Sequence, residues 1–191
     1  MSGDWQVLDG RETPRAARMV MELDDGTRVA LIDPRALGTV DVHPAGEAPV
    51  LDLGPEATDP DIDPDAIRAL LARRRLAIKP ALLDQRLIAG VGNIYAAEAL
   101  WHARIDPARP AADVTRAEIV RLLRGIRTAL QRAAGERYRA GSGRFEVYGR
   151  EDEPCRRCRT PIERIIQAGR STYYCPRCQA PVSRAPRRAR P

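Results

Sequence analysis

Apolar residues recur at helical spacing through the middle of the chain. Gly90-Val91-Gly92, followed by Asn93, separates two apolar groups of residues. The groups are Leu82, Leu83, Leu87 and Ile88 before the glycines, and Ile94, Ala97, Leu100 and Trp101 after them. This pattern predicts a helix, a tight glycine turn and a second helix. Because glycine adopts positive φ and has no Cβ, we expect Gly90 and Gly92 to let another chain approach the backbone.

Asn93 stands where the second of these helices is predicted to begin. Asparagine is a favoured N-cap, and the unpaired amides behind it form the positive end of the helix dipole. Such a terminus suits a phosphate group. An ordinary helical hairpin with a glycine C-cap accounts for the same periodicity, so both interpretations remain open at this point.

Three helical stretches are predicted around this segment, two that flank it and one that leads into it. Asp63 is an N-cap with Pro64 at the first helical position, and the buried stripe of that helix is Ile67, Leu70 and Leu71. Its end carries three arginines at residues 73–75, which start a basic surface. A second helix is predicted from an N-cap at Lys79 through Gln85.

The third of these helices is long and amphipathic. Thr115 and Glu118 have the spacing of a capping box. The apolar positions that follow at helical spacing are Ile119, Leu122, Leu123, Ile126, Leu130 and Ala133. We expect this helix to belong to the core.

The first 58 residues have the pattern of β structure. Residues 18–23 and 28–32 flank a turn at residues 24–27, which predicts a hairpin. Residues 37–42 are a predicted third strand. Three strands make a poor core by themselves, so this region needs a partner to pack against.

Charge and composition narrow the class of partner. The net charge of +6 favours an acidic partner, for which nucleic acid is the commonest candidate. Of the 32 basic residues only Lys79 is a lysine, and arginine binds phosphates in a bidentate way. The sequence has no apolar run long enough for a membrane span and no signal-peptide pattern, so we expect a cytoplasmic protein.

Four cysteines in two close pairs have the spacing of a metal site. Cys155 and Cys158 form one pair, and Cys175 and Cys178 form the other. Two such knuckles complete a tetrahedral site that suits one zinc ion, with disulfides or an iron–sulfur cluster as the alternatives. Four protein ligands leave no open position, so the metal would be structural. A β-hairpin is predicted between the knuckles, with Arg170 at its tip.

Two segments resemble one known family. The residues LLDQRLIAGVGNIYAAEAL are similar to the helix-two-turns-helix signature of the formamidopyrimidine-DNA glycosylase and endonuclease VIII family of base-excision repair enzymes. The residues CRRCRTPIERIIQAGRSTYYCPRCQ resemble the C-terminal zinc finger of that family. The two motifs stand in the family's order, and residues 33–38 are similar to a further family segment, D-P-R-R-F-G.

The resemblance implies an α+β fold in four parts. Residues 1–58 would be the remnant of an N-terminal β-sandwich, 59–150 the helix-two-turns-helix domain, 151–180 the zinc finger and 181–191 a basic tail. Residues 1–3 resemble an internal segment of the family, so we expect the chain to correspond to the C-terminal two-thirds of a full-length member.

The resemblance also implies DNA contacts. Asn93 and Arg170 match residues that hold phosphates around the extruded nucleotide. Met1, Arg35 and Leu37 match the residues that fill the gap left by the flipped base, with an aliphatic Leu37 in place of an aromatic residue.

The family's catalytic residues have no counterpart here. They are an N-terminal proline, a neighbouring glutamate and a lysine on a β-hairpin, whereas Lys79 matches a different family lysine, near the lesion pocket. We therefore assign no catalytic residue and expect base excision to be lost, with slow lyase action by a substitute amine as the remaining possibility. The short segment at residues 135–148 favours the endonuclease VIII branch, whose usual substrates are oxidised pyrimidines.

These observations support one principal function and two alternatives. The principal one is a monomeric DNA glycosylase/AP-lyase family protein that binds duplex DNA carrying a damaged base or an abasic site, associated with the nucleoid. A non-catalytic zinc-dependent DNA-binding module is the first alternative. A zinc-ribbon module that binds other proteins is the second.

Overall fold

The computed structural model describes residues 3–36, 38–47, 49–134 and 145–181. The chain divides into two compact units, Met1–Val50 and Leu51–Pro191. No helix in the described ranges has both the length and the apolar character needed to cross a membrane. The predicted basic tail lies outside the described residues except for its first residue, and the predicted four-part division stays a prediction.

The first unit contains a three-stranded antiparallel sheet. Its strands are β1 (Asp4–Leu8), β2 (Ala17–Glu22) and β3 (Arg28–Ile32), in the order β1-β3-β2. The predicted hairpin of β2 and β3 is confirmed. At its turn Gly26 has a φ of 79°, and the Thr27 N–H donates to the Asp25 carboxylate over 2.9 Å.

The prediction of a strand at residues 37–42 was wrong, because the third strand is β1. Residues 38–42 form no strand, and Leu37 lies outside the described residues. The backbone turns after β3 because the Asp33 carboxylate accepts the N–H groups of Arg35 and Gly38 over 3.1 and 2.7 Å. These bonds occupy the amides that a strand would use for pairing.

The second unit begins with α1 (Pro64–Ala72). Asp63 caps it as predicted, since its carboxylate accepts the N–H groups of Asp65 and Ala66. Ile67 and Leu71 are buried, but Leu70 is 40% exposed, so the predicted stripe was too wide by one residue.

The next helix, α2 (Ile78–Ala81), is much shorter than the sequence predicts. Ala77, not Lys79, is its N-cap. The chain after it forms turns because polar side chains bind the local backbone: Asp84 accepts the Arg86 N–H at 3.0 Å, and Gln85 accepts the Gly90 N–H at 2.9 Å.

Two crossing helices form the centre of the second unit. They are α3 (Asn93–Ala103) and α4 (Arg116–Ala134), with a short 3-10 helix, Ala111–Asp113, between them. The predicted capping box is confirmed, since the Thr115 N–H donates to Glu118 over 2.9 Å. A Cβ at Gly125 would lie 2.7 Å from the Ala99 carbonyl oxygen, so glycine permits the close crossing. The predicted apolar positions Ile119, Leu122, Leu123 and Ile126 are buried in the core.

The predicted β-hairpin is confirmed and is formed by β4 (Glu163–Gln167) and β5 (Arg170–Tyr174). Ala168 and Gly169 have φ values of 47° and 72°, which is the left-handed geometry of a two-residue hairpin turn. The hairpin and knuckles share a second apolar cluster with α3. Its buried members are Ala97, Trp101, Val147, Cys155, Ile162 and Cys175.

Candidate metal centre and nucleic-acid interface

The four predicted cysteines converge on one point. The Sγ atoms of Cys155, Cys158, Cys175 and Cys178 all lie within 4.8 Å of one another, and all four are free thiols. Two pairs are separated by 4.0 Å (Cys155 to Cys178) and 3.4 Å (Cys158 to Cys175). Tetrahedral zinc with sulfur at about 2.3 Å places its ligands about 3.8 Å apart. The arrangement therefore fits a structural zinc ion with four thiolate ligands.

Two backbone N–H groups are directed at cysteine sulfur atoms of this centre. The Arg157 N–H points to Cys155 Sγ at 3.4 Å, and the Cys178 N–H points to Cys175 Sγ at 3.3 Å. Hydrogen bonds from Thr160 lower the pKa of Cys158 to about 6, whereas burial raises the pKa of Cys175 to about 12. A bound divalent cation favours the thiolate form of every ligand.

The knuckles are fixed to the C-terminal half of α3. The Arg157 guanidinium lies 3.9 Å from the centre of the Trp101 ring and donates to the Trp101 carbonyl over 3.2 Å. Gln179 accepts the Cys175 N–H and donates to the Ile105 carbonyl, each over 2.9 Å. These contacts orient the hairpin along α3.

At the other end of α3 the hairpin meets the glycine turn. Lys79 Nζ donates to Asn93 Oδ1 and, over 3.2 Å, to the Ser171 carbonyl. Asn93 Nδ2 donates to the same carbonyl over 3.1 Å and to the Tyr148 hydroxyl over 3.4 Å. We call Lys79, Asn93, Tyr148 and Ser171 the Lys79–Asn93 cluster.

Lys79 is fully buried, which is unusual for a lysine. Burial, with a smaller contribution from the positive charge of Arg170, lowers the pKa of Lys79 to about 8. Exposed Arg170 directly precedes Ser171, whose carbonyl accepts from Lys79, so the hairpin turn places Arg170 next to the cluster. The structure therefore brings together three predicted DNA-binding residues: Lys79, Asn93 and Arg170.

The capping role predicted for Asn93 was wrong. Gly92 is the N-cap of α3, and Asn93 is its first helical residue. Gly90 has a φ of 86°, but Gly92 has a φ of −95°, so only Gly90 uses the positive region. A Cβ at Gly92 would meet no atom within 4 Å, so the space in front of the helix end is open. The Asn93 side chain is turned toward the lysine and the hairpin instead of its own helix.

Sequence reasoning missed two members of the cluster: Ser171, which contributes its carbonyl, and Tyr148. The backbone at Tyr148 is held by buried Glu98 of α3, whose carboxylate accepts the N–H groups of Glu146, Val147 and Tyr148 over 2.8, 2.9 and 3.0 Å. Burial raises the pKa of Glu98, and these bonds oppose the rise. A glutamate in the apolar run of α3 was the available signal, because a buried carboxylate requires donors.

The remaining predicted DNA-contact residues do not belong to the second unit. Arg35 lies in the first unit, in the loop after β3, and is exposed. Met1 and Leu37 lie outside the described residues. Their roles stay predictions.

Both recognised segments match known families. Residues 53–142 match the family model described as "Formamidopyrimidine-DNA glycosylase H2TH domain". Residues 152–181 match the family model described as "Zinc finger found in FPG and IleRS". The chain is 41% identical over 188 residues to the formamidopyrimidine-DNA glycosylase of Herpetosiphon aurantiacus, covering 90% of this chain and 69% of that protein. It is 43% identical to the corresponding protein of Chloroflexus aurantiacus, covering 90% and 68%.

The chain is also similar in structure to solved proteins of this family. The MutM (Fpg) protein of Thermus thermophilus superposes with a TM-score of 0.78 at 37% identity, covering 94% of this chain and 73% of that one. The Lactococcus lactis Fpg bound non-covalently to DNA containing an AP site has a TM-score of 0.81 at 32% identity, covering 95% and 72%.

The predicted preference for the endonuclease VIII branch is not confirmed by these relatives, which carry the formamidopyrimidine name. That preference depended on residues 135–148, of which 135–144 lie outside the described residues.

We predict that removing zinc detaches the hairpin from α3. Structural zinc contributes on the order of 10 kcal/mol to the folding of small fingers. In a Trp5→Phe protein the remaining indole, Trp101, lies under Arg157, so its fluorescence reports the docked knuckle. Chelation should change this emission, and added zinc should restore it. An unchanged spectrum after complete zinc removal, verified by metal analysis, would contradict the prediction.

Proposed function

The chain belongs to the formamidopyrimidine-DNA glycosylase family, and from that premise we propose that its second unit binds damaged duplex DNA through the Lys79–Asn93 cluster and Arg170. The observation that carries the proposal is the hydrogen-bonded meeting of α2, the start of α3 and the hairpin at Ser171. Three separate segments contribute there, and two of them bring a cation.

The chemistry of this surface suits phosphate oxygens. The amides of Asn93 and Ile94, the first two residues of α3, have no acceptor within the helix, and a Cβ at Gly92 would meet no atom within 4 Å. Arg170 is exposed and adds a guanidinium at the turn of a rigid hairpin. Lys79 is buried, so it does not need to touch a phosphate to stabilise it. Its positive charge acts electrostatically through the protein interior, where the dielectric constant is low.

The solved relatives support a proposal for the substrate class. MutM has been solved with DNA containing carbocyclic 8-oxo-G, and the Lactococcus lactis protein with DNA containing FAPY-dG or an abasic site. We propose duplexes with an oxidised purine or an abasic site as the ligands of this chain, in the cytoplasm and at the nucleoid. Met1, Arg35 and Leu37 are proposed to occupy the space left by an extruded base.

For catalysis, we propose that the 191-residue polypeptide recognises lesions without releasing the base. Phosphate contacts give affinity and register, but excision needs a nucleophilic amine at C1′. The only lysine is Lys79, whose amine is buried and donates to Asn93 and Ser171.

The DNA-binding proposal predicts a salt signature. Arg170→Gln should weaken binding to an 8-oxo-G or abasic duplex by roughly tenfold and reduce the slope of log K against log salt by roughly 0.9, the loss of one phosphate contact. Fluorescence anisotropy over a range of salt concentrations measures both.

The matched control is Arg68→Gln, which removes the same charge from an exposed position on α1. It should change affinity much less than Arg170→Gln. Equal effects of the two variants would mean that only net charge matters and would contradict the proposed site. An absence of any salt-dependent DNA binding would contradict the function itself.

A second prediction concerns pH. Because the pKa of Lys79 is about 8, the protonated fraction falls between pH 7 and 9, where an ordinary lysine stays charged. A nearby phosphate favours the charged form, so affinity for DNA should fall over this range, by up to about tenfold for each pH unit above 8.

Tyr174 has a pKa raised to about 12, so it does not titrate in this window. Lys79→Met should bind more weakly at pH 7 and lose this pH dependence; a retained dependence would assign the titration to another group.

A third prediction concerns chemistry. Borohydride treatment of the zinc-loaded polypeptide on an 8-oxo-G duplex should give no covalent adduct, while binding is recorded in parallel. An adduct on the abasic duplex that disappears in Lys79→Met would identify the lysine amine, and one that persists would identify the N-terminal amine. Efficient adduct formation and base release on the 8-oxo-G duplex would refute the proposed loss of excision.

A further inference from the structure

A second basic site lies at the far end of α3. A cavity of about 410 Å³ opens there, lined by Arg104, Arg157, Arg177, Cys158 and Cys178. Because α3 has 11 residues and rises about 1.5 Å for each, this cavity is about 16 Å along the helix from Asn93. One phosphate group cannot contact both sites.

Three separate segments contribute the arginines that line this cavity. Arg104 is the C-cap of α3 and has a left-handed backbone with a φ of 58°. Arg157 and Arg177 each directly precede the second cysteine of a zinc knuckle. The zinc centre and the end of α3 therefore fix the positions from which all three side chains extend.

One of the three guanidinium groups is already oriented. Arg157 is held against the Trp101 ring and by its bond to the Trp101 carbonyl. Arg104 and Arg177 have no carboxylate partner among the residues that the structure describes. Three arginines lining one cavity, two of them without a carboxylate partner among the described residues, supply the charged donors that an oxyanion needs.

The zinc centre itself bears on the charge of this cavity. Zinc with four thiolates carries a net charge of −2, whereas the three arginines carry +3. Three guanidinium groups alone would repel one another, and the thiolates beneath them reduce that repulsion. A net positive charge still remains at the mouth of the cavity, where the thiolates accept no further ligand.

We propose that this cavity binds a phosphate group, either free or within a nucleic-acid strand other than the one held at the Lys79–Asn93 cluster. The site uses arginine donors only and needs no residue of that cluster. Its failure is therefore distinguishable from failure of the proposed lesion binding.

Trp101 provides a direct readout, since its ring lies under Arg157. Zinc-loaded Trp5→Phe protein is titrated with inorganic phosphate at constant ionic strength, and Trp101 emission is recorded. We expect a saturable change that sulfate also produces and chloride does not. A linear change, or an equal response to chloride, would overturn the proposal.

Variants test the assignment of the site. Arg104→Gln with Arg177→Gln should lower phosphate affinity at least about tenfold, because two charged donors are lost. Arg68→Gln should leave it unchanged, and the double variant should keep its preference for lesion duplex over undamaged duplex, because the Lys79–Asn93 cluster is intact. Unchanged phosphate affinity in the double variant would overturn the proposal. The proposal would also be overturned if the parent protein bound no phosphate and the double variant released zinc to a chelator faster than the parent. The arginines would then serve only as counter-charges to the thiolates.

Two ligand sources are separated in a last arm. Undamaged duplex DNA is added to the phosphate-bound protein carrying Asn93→Ala, which weakens the other site. If the duplex displaces phosphate, Trp101 emission returns to its phosphate-free value and more phosphate is needed for half-saturation. That result supports a nucleic-acid strand as the ligand. Unaltered phosphate binding supports the free anion. If the double variant fails to fold, Arg177→Gln alone should still lower phosphate affinity several-fold, and no change there would overturn the proposal.

Discussion

The attachment of the zinc knuckles to α3 is the constraint on which the rest of the second unit depends. Four cysteine Sγ atoms gathered within 4.8 Å of one another form the base of the β-hairpin, and the Arg157–Trp101 contact fixes that base to the helix. The hairpin then lies along α3, so that its far end reaches the glycine turn. The position of Ser171 beside Lys79 and Asn93 therefore depends on this attachment.

Helix α3 serves as the common support for three polar features. Its first residue, Asn93, enters the cluster at the glycine turn. Its middle carries Glu98, which gathers three backbone amides and so places Tyr148. Its C-cap, Arg104, borders the arginine cavity. The buried carboxylate and the buried lysine are both costly groups, and each is accommodated because the other elements supply its hydrogen-bond partners.

Local signals were reliable where the physics is local. The Asp63 cap, the Thr115–Glu118 box and the β2–β3 turn depend on residues within four positions of one another, and all three are present. The errors occurred where side chains competed with regular backbone pairing. Asp33 bends the chain after β3, and Asp84 with Gln85 ends α2 early, although the apolar pattern continues through both segments.

The sequence by itself determined the chemistry of this protein: the zinc ligands, the helix-two-turns-helix segment, the excess of arginine and hence the family. Cysteine spacing and capping are short-range properties, so they can be recognised along the chain. Only the tertiary structure decided that Lys79 is a buried partner of Asn93 instead of a helix cap, and that Tyr148 joins them. Those contacts join residues 14, 55, 78 and 92 positions apart, and their formation depends on how the hairpin and helices pack.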